Sequence, residues 1–279
     1  MSARVSAVVV YFRTPTALQA CLDSLRAQTG GAPEIVVVDN SSAIDGETRR
    51  PAAGEDWQWL RMPHNAGFAA ACNAGARATT GDHLLVVNGD VVLQPGAVGE
   101  LLGALEADPQ AAIAGPQIID AAGEVELSAR AFPSILTGVL GRSSVATRLL
   151  QRAGAAPSGV AAALARRPAV VDWISGACML IRRDAYEHLG GFDEGYWMYW
   201  EDADLCLRQA QAGRHTRFVP SAVVHHATGS SGSSPATVRA FHASATRYFV
   251  THLARSPLSR RIGTALLAAR CRVVLARSR

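Results

Sequence analysis

Lysine is missing from this sequence: all 27 basic residues among its 279 are arginine. Arginine favours bidentate, permanently charged contacts with phosphate and carboxylate. Biased genome composition yields the same usage, so the absence excludes only chemistry that needs a lysine amine. Charge of either sign is modest: 23 acidic residues leave a net +4 and a pI near 9.0. That excess suits an anionic ligand or an acidic lipid surface and does not indicate nucleic acid. Cysteine is sparse, and Cys21, Cys72, Cys178, Cys206 and Cys271 form no CxxC pair or other metal-like spacing. A disulfide framework and a cysteine metal knot are thereby excluded, and reduced thiols packed as small hydrophobes suit a cytoplasmic protein. No stretch approaches the roughly 20 apolar residues of a membrane span. The first apolar run follows a single Arg4 and lacks a small-residue cleavage site, so the expectation is a protein neither secreted nor membrane-spanning.

What is present is enough apolar residue, 49% of the chain, to bury one substantial core. Val5 to Phe12, Glu34 to Asp39 and His83 to Asn88 are β-branched or aliphatic runs, the last two with a polar residue at the carboxyl end. Continuous apolar runs of this length suit parallel strands covered on both faces. Between them lie helical patterns: Pro15 at a first turn followed by Leu18, Cys21, Leu22 and Leu25, and an alanine-rich stretch from Gly67 to Ala78. Alternation of strand and helix predicts an α/β fold with a mostly parallel, Rossmann-like sheet flanked by helices. Ligands of such sheets bind outside the carboxyl ends of the strands, where the sequence puts Tyr11, Asp39, Asn40 and the turn Asn88-Gly-Asp90. A dinucleotide-binding dehydrogenase would begin in the same way. Here, however, the first strand runs into Tyr11-Phe-Arg-Thr-Pro15 and the glycine-rich phosphate turn is lacking.

From Leu136 to Arg167 the pattern weakens into Gly, Ser, Ala and scattered arginines (Arg142, Arg148, Arg152, Arg166, Arg167), which reads as a lid or acceptor-side element. Order resumes at Val170 to Ile181, then in a helix from Asp184 and another from about Trp200. No repeat or long linker divides the chain. The expected organisation is a catalytic domain over residues 1–232 and a C-terminal helical extension over 233–279.

Six segments resemble a known family when taken in order: Val36-Val-Val-Asp-Asn-Ser-Ser42, His64-Asn-Ala-Gly-Phe68, Gly81-Asp-His-Leu-Leu-Val-Val-Asn-Gly-Asp90, Gly190-Gly-Phe-Asp-Glu194, Tyr199-Trp-Glu-Asp-Ala-Asp-Leu-Cys-Leu-Arg208 and Val223-Val-His-His-Ala-Thr-Gly-Ser230. From about Val5 to Ser231 the chain resembles glycosyltransferase family 2 of the GT-A fold, in its bacterial branch of rhamnosyltransferases and related cell-surface polysaccharide enzymes. The resemblance implies that Asp39 meets the base or ribose of a nucleotide-sugar donor, with Asn65 and Gly67 nearby. A carboxylate accepting from a pyrimidine N–H makes this chemically sensible, although Asp-Asn-Ser-Ser is also an ordinary turn. Asn88-Gly-Asp90 stands where the family carries Asp-x-Asp, so the first acid is here an asparagine. By resemblance Asp90 binds a divalent cation, Mg²⁺ or Mn²⁺, while Asn88 faces the ribose. One carboxylate should hold such a hard cation weakly until donor phosphate oxygens join it. A further metal ligand is implied at His226 or His225, which point opposite ways on a strand so that one alone can serve. His226 fits the spacing to Gly229 and Ser231 better.

In the family the second acid of Glu201-Asp202 is the general base of an inverting displacement, which gives Asp202 that role and Glu201 a supporting one. Acids at a helix start are also stabilised by the helix itself. Asp204 and Arg208 have ordinary i,i+4 ion-pair spacing. Trp173, Gly176, Asp193 and Trp200 are expected around the acceptor, with Trp197 and Tyr199 beside them; aromatic faces suit sugar rings or, equally, a core. The donor is expected to be dTDP-linked rhamnose, with UDP-linked galactofuranose, glucose or N-acetylglucosamine as alternatives. The expected acceptor is a saccharide or a polyprenyl-diphosphate-linked saccharide at the cytoplasmic face of the inner membrane. After Ser256, Ile262, Leu266, Ala269, Val273 and Ala276 line one helix face between arginines, which suits peripheral membrane contact or packing on the domain or within a homodimer. Two other classes fit the sequence less well. A sugar-phosphate nucleotidyltransferase needs a glycine-rich activating loop and a lysine, both missing, and a silent nucleotide-sugar-binding protein would be separated by slow hydrolysis of a nucleotide sugar.

Overall fold

The computed structural model describes residues 4–41, 57–133, 167–226 and 234–277. The first half runs β1 (Val5–Tyr11), α1 (Pro15–Arg26), β2 (Glu34–Asp39), β3 (Trp57–Arg61), α2 (Phe68–Arg77), β4 (His83–Asn88), β5 (Val91–Leu93), α3 (Ala97–Glu106) and β6 (Ala111–Ile119). Short strands follow: β7 (Val125–Glu126), β8 (Ala129–Arg130), β9 (Ala169–Val171) and β10 (Trp173–Ile174). Then come β11 (Cys178–Arg182), α4 (Arg183–His188), α5 (Glu201–Gln211), β12 (His215–His226), α6 (Pro235–Tyr248), a π-turn (Phe249–Leu253) and α7 (Pro257–Arg277).

The main sheet has the order β3-β2-β1-β4-β11-β6-β12-β5, with β7 on β6 and β9 on β12. Strands β3, β2, β1 and β4 are parallel, as are β6 and β12; β11 enters antiparallel to both β4 and β6. The expected Rossmann-like, GT-A-type sheet is present, and the reversal between β1 and β4 opens a crevice at their carboxyl ends. Alternate residues of β1 explain why its run is apolar throughout. Val8 enters a core with α2, α5 and β10, whereas Ala7, Val9 and Tyr11 enter the opposite core with α1 and α3. Helix α1 closes the second core with Leu18, Cys21, Leu22 and Leu25, all buried, each leucine contributing about 1.5–3 kcal/mol.

Four cysteines are buried and all five are free. Burial pushes the Cys178 and Cys206 thiols up to about 12, which keeps them protonated and packed as apolar groups. The expected lid, apart from Arg167, the spacing residues Gly229 and Ser231, and the boundary at 232–233 lie outside the described residues. Beyond β12, α6 and α7 pack on each other through Ala245, Phe249 and Leu267. No described helix is long and apolar enough to cross a membrane.

Candidate active site

At the ends of β1 and β2 the polar residues are knitted together locally. Asn40 donates its backbone N–H to Tyr11 O at 2.9 Å and its amide N–H groups to Asn65 Oδ1 and Gly67 O, while its Oδ1 accepts from Ala66 N. Asn65 Oδ1 also accepts from Gly67 N. Asp39 is fully buried; its Oδ1 accepts from Ser41 N, as an Asx turn does, and its Oδ2 lies 3.4 Å from Arg61 Nε. Tyr11 is buried against Trp59, with ring centroids 5.7 Å apart. The expected donor residues Tyr11, Asp39, Asn40, Asn65 and Gly67 are thus brought together, and most of Asn40's hydrogen-bonding capacity is spent on shaping the turn.

Gly67 has φ +91°, and a Cβ there would lie 2.2 Å from Trp197 O. The absent side chain lets the turn meet residues 193–200 backbone to backbone, and Phe68 N donates to that same Trp197 carbonyl at 2.8 Å. Trp197 keeps one face exposed and donates its indole N–H to Asn65 O.

The turn Asn88-Gly-Asp90 begins where Gly89 N donates to Val10 O and Asn88 N to Ala177 O, each at 2.9 Å. Asp90 Oδ1 stands 3.4 Å from His226 Nε2, and the other ring nitrogen stands 3.6 Å from Glu126 Oε2. His225 points the other way to Gln94 at 3.1 Å and does not join this row. Burial alone would lower His226, but the carboxylates on either side hold its proton and push it up to about 9. The row is therefore a place for one positive charge. Neighbouring ligands at 2.1 Å in an octahedral shell stand about 3.0 Å apart, so Asp90 Oδ1 and His226 Nε2 fit a hard divalent cation. Glu126 Oε2, buried with no hydrogen-bond partner, would orient the ring from behind. Among the described residues no group of three or more acidic, histidine or cysteine side chains forms a metal cluster, which leaves positions for phosphate oxygens or water. Glu126 is the residue that the sequence did not single out; it sits on a two-residue strand with no periodicity to mark it.

Opposite this row, α5 starts from two bulky residues in the left-handed region, Tyr199 (φ +68°) and Trp200 (φ +73°). Such conformations cost about 1–3 kcal/mol each and persist only where surroundings impose them. Here α6 imposes them. Phe241 packs on Tyr199 and Trp200 at 5.7 and 5.6 Å, Tyr248 packs on Trp200 at 5.3 Å, and Ser244 Oγ donates to Met198 O. Arg247 grips Asp193 with two nitrogens at 2.8 and 2.9 Å, so the Asp193 carboxylate is held in an ion pair. The indole N–H of Trp200 is buried without a hydrogen-bond partner.

The strained turn sets the two acids apart. Half-buried Asp202 accepts from Gly176 N at 3.0 Å and from Ala203 N at 2.8 Å. Glu201 is buried on the α2 side, where burial first and then its charge raise the Cys72 thiol. Gly176 adjoins Ala177, whose carbonyl accepts from Asn88, so one short turn touches both the Asn88-Gly-Asp90 motif and Asp202. A Cβ on Gly176 would lie 3.4 Å from Asp202 Cβ. Trp173 is buried, with its indole N–H donating to Ala131 O at 2.8 Å and Arg130 over its ring. Two residues after Asp202, buried Asp204 accepts from Arg208 at 2.7 Å and lies 2.7 Å from His252 of the π-turn. A depression of about 330 Å³ between α3 and β12, lined by Gly99, Gly103, Arg217 and Phe218, contains none of these residues.

The sheet, with an acid-bearing turn at the carboxyl end of β4, defines the class as a GT-A fold. Residues 6–190 match the model of glycosyl transferase family 2, and the chain belongs to that family and is a glycosyltransferase. It is 35% identical over 266 residues to an N-acetylglucosaminyl-diphospho-decaprenol L-rhamnosyltransferase of Mycobacterium tuberculosis, covering 87% of this chain and 82% of the relative. Two solved structures share the fold, each with a TM-score of 0.58. They are the mannosyltransferase PcManGT of Pyrobaculum calidifontis in complex with GDP-Man and Mn²⁺ (16% identity, 99% of this chain and 76% of that one) and GalNAc-T7 with UDP, GalNAc and Mn²⁺ (15% identity, 96% of this chain and 55% of that one).

Proposed function

We propose that this glycosyltransferase is an inverting, metal-dependent hexosyltransferase. In this reading it moves L-rhamnose from dTDP-rhamnose to an N-acetylglucosaminyl-diphospho-polyprenol at the cytoplasmic face of the inner membrane, in cell-surface polysaccharide synthesis. Support for sugar and acceptor comes from the mycobacterial relative, which aligns over most of both chains. Support for the chemistry comes from one observation: the Gly176-Ala177 turn hydrogen-bonds Asp202 on one side and the Asn88-Gly-Asp90 motif on the other.

Asp202 is assigned as general base. It accepts the proton of the acceptor hydroxyl while that oxygen bonds to the anomeric carbon and the bond from that carbon to the diphosphate oxygen breaks. Two backbone N–H groups fix the carboxylate's orientation, which spares reorganisation during the step. Glu201 is too buried to meet an incoming hydroxyl and is assigned a supporting role. Asp90 and His226 would hold the cation, with Glu126 behind the ring, and when bound the cation offsets the charge that develops on the leaving nucleoside diphosphate. With so few protein ligands, Mn²⁺ affinity of the free chain is expected to be weak and to rise when nucleoside diphosphate is added; tight binding without nucleotide would count against the assignment.

The test is a panel of nucleotide sugars assayed for hydrolysis and for transfer to polyprenyl-diphospho-N-acetylglucosamine, with products identified by mass and anomeric configuration by NMR. Rhamnose transfer with inversion is the expected result. Retention of configuration would overturn the single-displacement mechanism, and preference for a UDP-sugar would overturn the donor.

A further inference from the structure

Helix α7 is apolar on two faces. Gly263 and Leu267 are buried against Phe249 and α6. On the other side Leu258 is 68% exposed, Ile262 52%, Leu266 45% and Val273 50%. At about 100° per residue these four and Ala269 fall within an arc of about 80°, centred nearly opposite Leu267. Arg261 and Arg272 border the arc on one side, Arg270 and Arg277 on the other. Over its 21 residues the helix is about 32 Å long, so the stripe is a continuous surface and not a scatter of single side chains.

Charge decides what covers it. Every one of the 23 acidic residues lies at or before Asp204, and the remainder of the chain carries twelve of the 27 arginines. A second copy docked stripe to stripe would set arginine borders against arginine borders with no acid on either helix, which repels. An anionic lipid surface accepts both the apolar stripe and its basic margins. We infer that α7 lies in the headgroup region of an anionic bilayer, with Leu258, Ile262, Leu266 and Val273 inserted and the exposed Arg261, Arg272 and Arg277 on lipid phosphates.

The docked face is coupled to the chemistry. Helix α7 packs on the π-turn and α6; His252 of that π-turn meets Asp204 at 2.7 Å, and Tyr248 and Phe241 hold Trp200 at the start of α5. A bilayer beneath α7 therefore has a fixed relation to Asp202. Docking itself needs no assumption about the acceptor, whereas its consequence for transfer rests on the lipid-linked acceptor proposed above.

The experiment is co-sedimentation of the full chain with phosphatidylglycerol-containing and pure phosphatidylcholine vesicles at low and high salt. Binding is expected to be selective for phosphatidylglycerol and salt-sensitive. The double variant Ile262→Asn, Leu266→Asn should bind at least tenfold more weakly, on the order of the burial of two aliphatic side chains. Arg261→Gln and Arg272→Gln should each weaken binding about fivefold. Because these side chains are exposed, melting temperature and donor hydrolysis should stay at the parent level in the double variant, while transfer to vesicle-embedded acceptor falls and transfer to a detergent-solubilised acceptor does not. Vesicle binding unchanged in the double variant, or loss of a concentration-dependent dimer in its place, overturns the inference. Normal docking with donor hydrolysis but no transfer to the polyprenyl-linked acceptor would overturn the acceptor reading alone.

Discussion

At the ends of β1 and β2, polar side chains close on their own or a neighbouring turn, as Asp39 does on Ser41, Asn65 on Gly67 and Asn40 on Ala66. Residues 193–202 contain one such local contact, Asp193 with Gly195, but Tyr199 and Trp200 sit in the left-handed region because Phe241, Ser244, Arg247 and Tyr248, some 40 to 50 residues later, hold them there. One side of the site is built from its own loops, the other by the C-terminal helices. Substitutions on the first side should act on binding; on the second they should couple stability to turnover.

The largest effect is expected at Asp202. Asp202→Asn keeps an acceptor for one of the two N–H groups but removes the proposed base, so transfer should fall about 10²–10⁴-fold while the lost N–H contact costs about 1 kcal/mol of stability; normal turnover would move the role elsewhere. Next comes Asp204, which ties α5 to the C-terminal helices through His252. Burial alone would push its carboxyl up, yet His252 and Arg208 hold it below the usual range. A depressed acid stabilises the fold above its unfolded value, near 3.9, and that stability is lost as pH falls through the lower folded value. Asp204→Asn should therefore cost about 3 kcal/mol at neutral pH and remove part of the acid-side decline, both read by urea unfolding across pH. At the His226 row, Glu126→Gln should weaken Mn²⁺ binding in the presence of nucleoside diphosphate about 10–100-fold, by titration, and lower the pH at which His226 releases its proton in the metal-free chain. The smallest effect on activity is expected at Trp173: Trp173→Phe loses one hydrogen bond and part of a buried ring, about 1–3 kcal/mol of stability, and should leave acceptor KM unaltered.

The same contrast explains what could be read beforehand. Strands β1, β2 and β4 and helix α1 were legible because a strand covered on both faces is apolar throughout and α1 repeats its leucines with helical period. Strand β12 was hard to read as one element because a register shift between Val219 and Val223 breaks its pattern. Strands β7 and β8 are too short to show any period, so Glu126 went unread. The two histidines could be told apart only as alternatives, since which one meets Asp90 depends on the pairing of β12 with β5. Trp173 was expected near sugar because aromatic residues serve cores and carbohydrate alike, and only its burial separates the two. The role of α6 was invisible for a different reason: its contacts join residues distant in sequence, and no local pattern in Pro235–Tyr248 announces them.

Gly67 has one more implication, for how such a scaffold changes its sugar. Its missing Cβ lets a carbonyl of the 193–200 segment rest directly on the turn, so no side-chain rotamer exists at that seam to absorb a sliding movement. New specificity then has to be gained by exchanging side chains on a fixed frame. A chimera that imports residues 193–204 from a relative should fold only when residues 65–68 and the facing side chains of α6 travel with them.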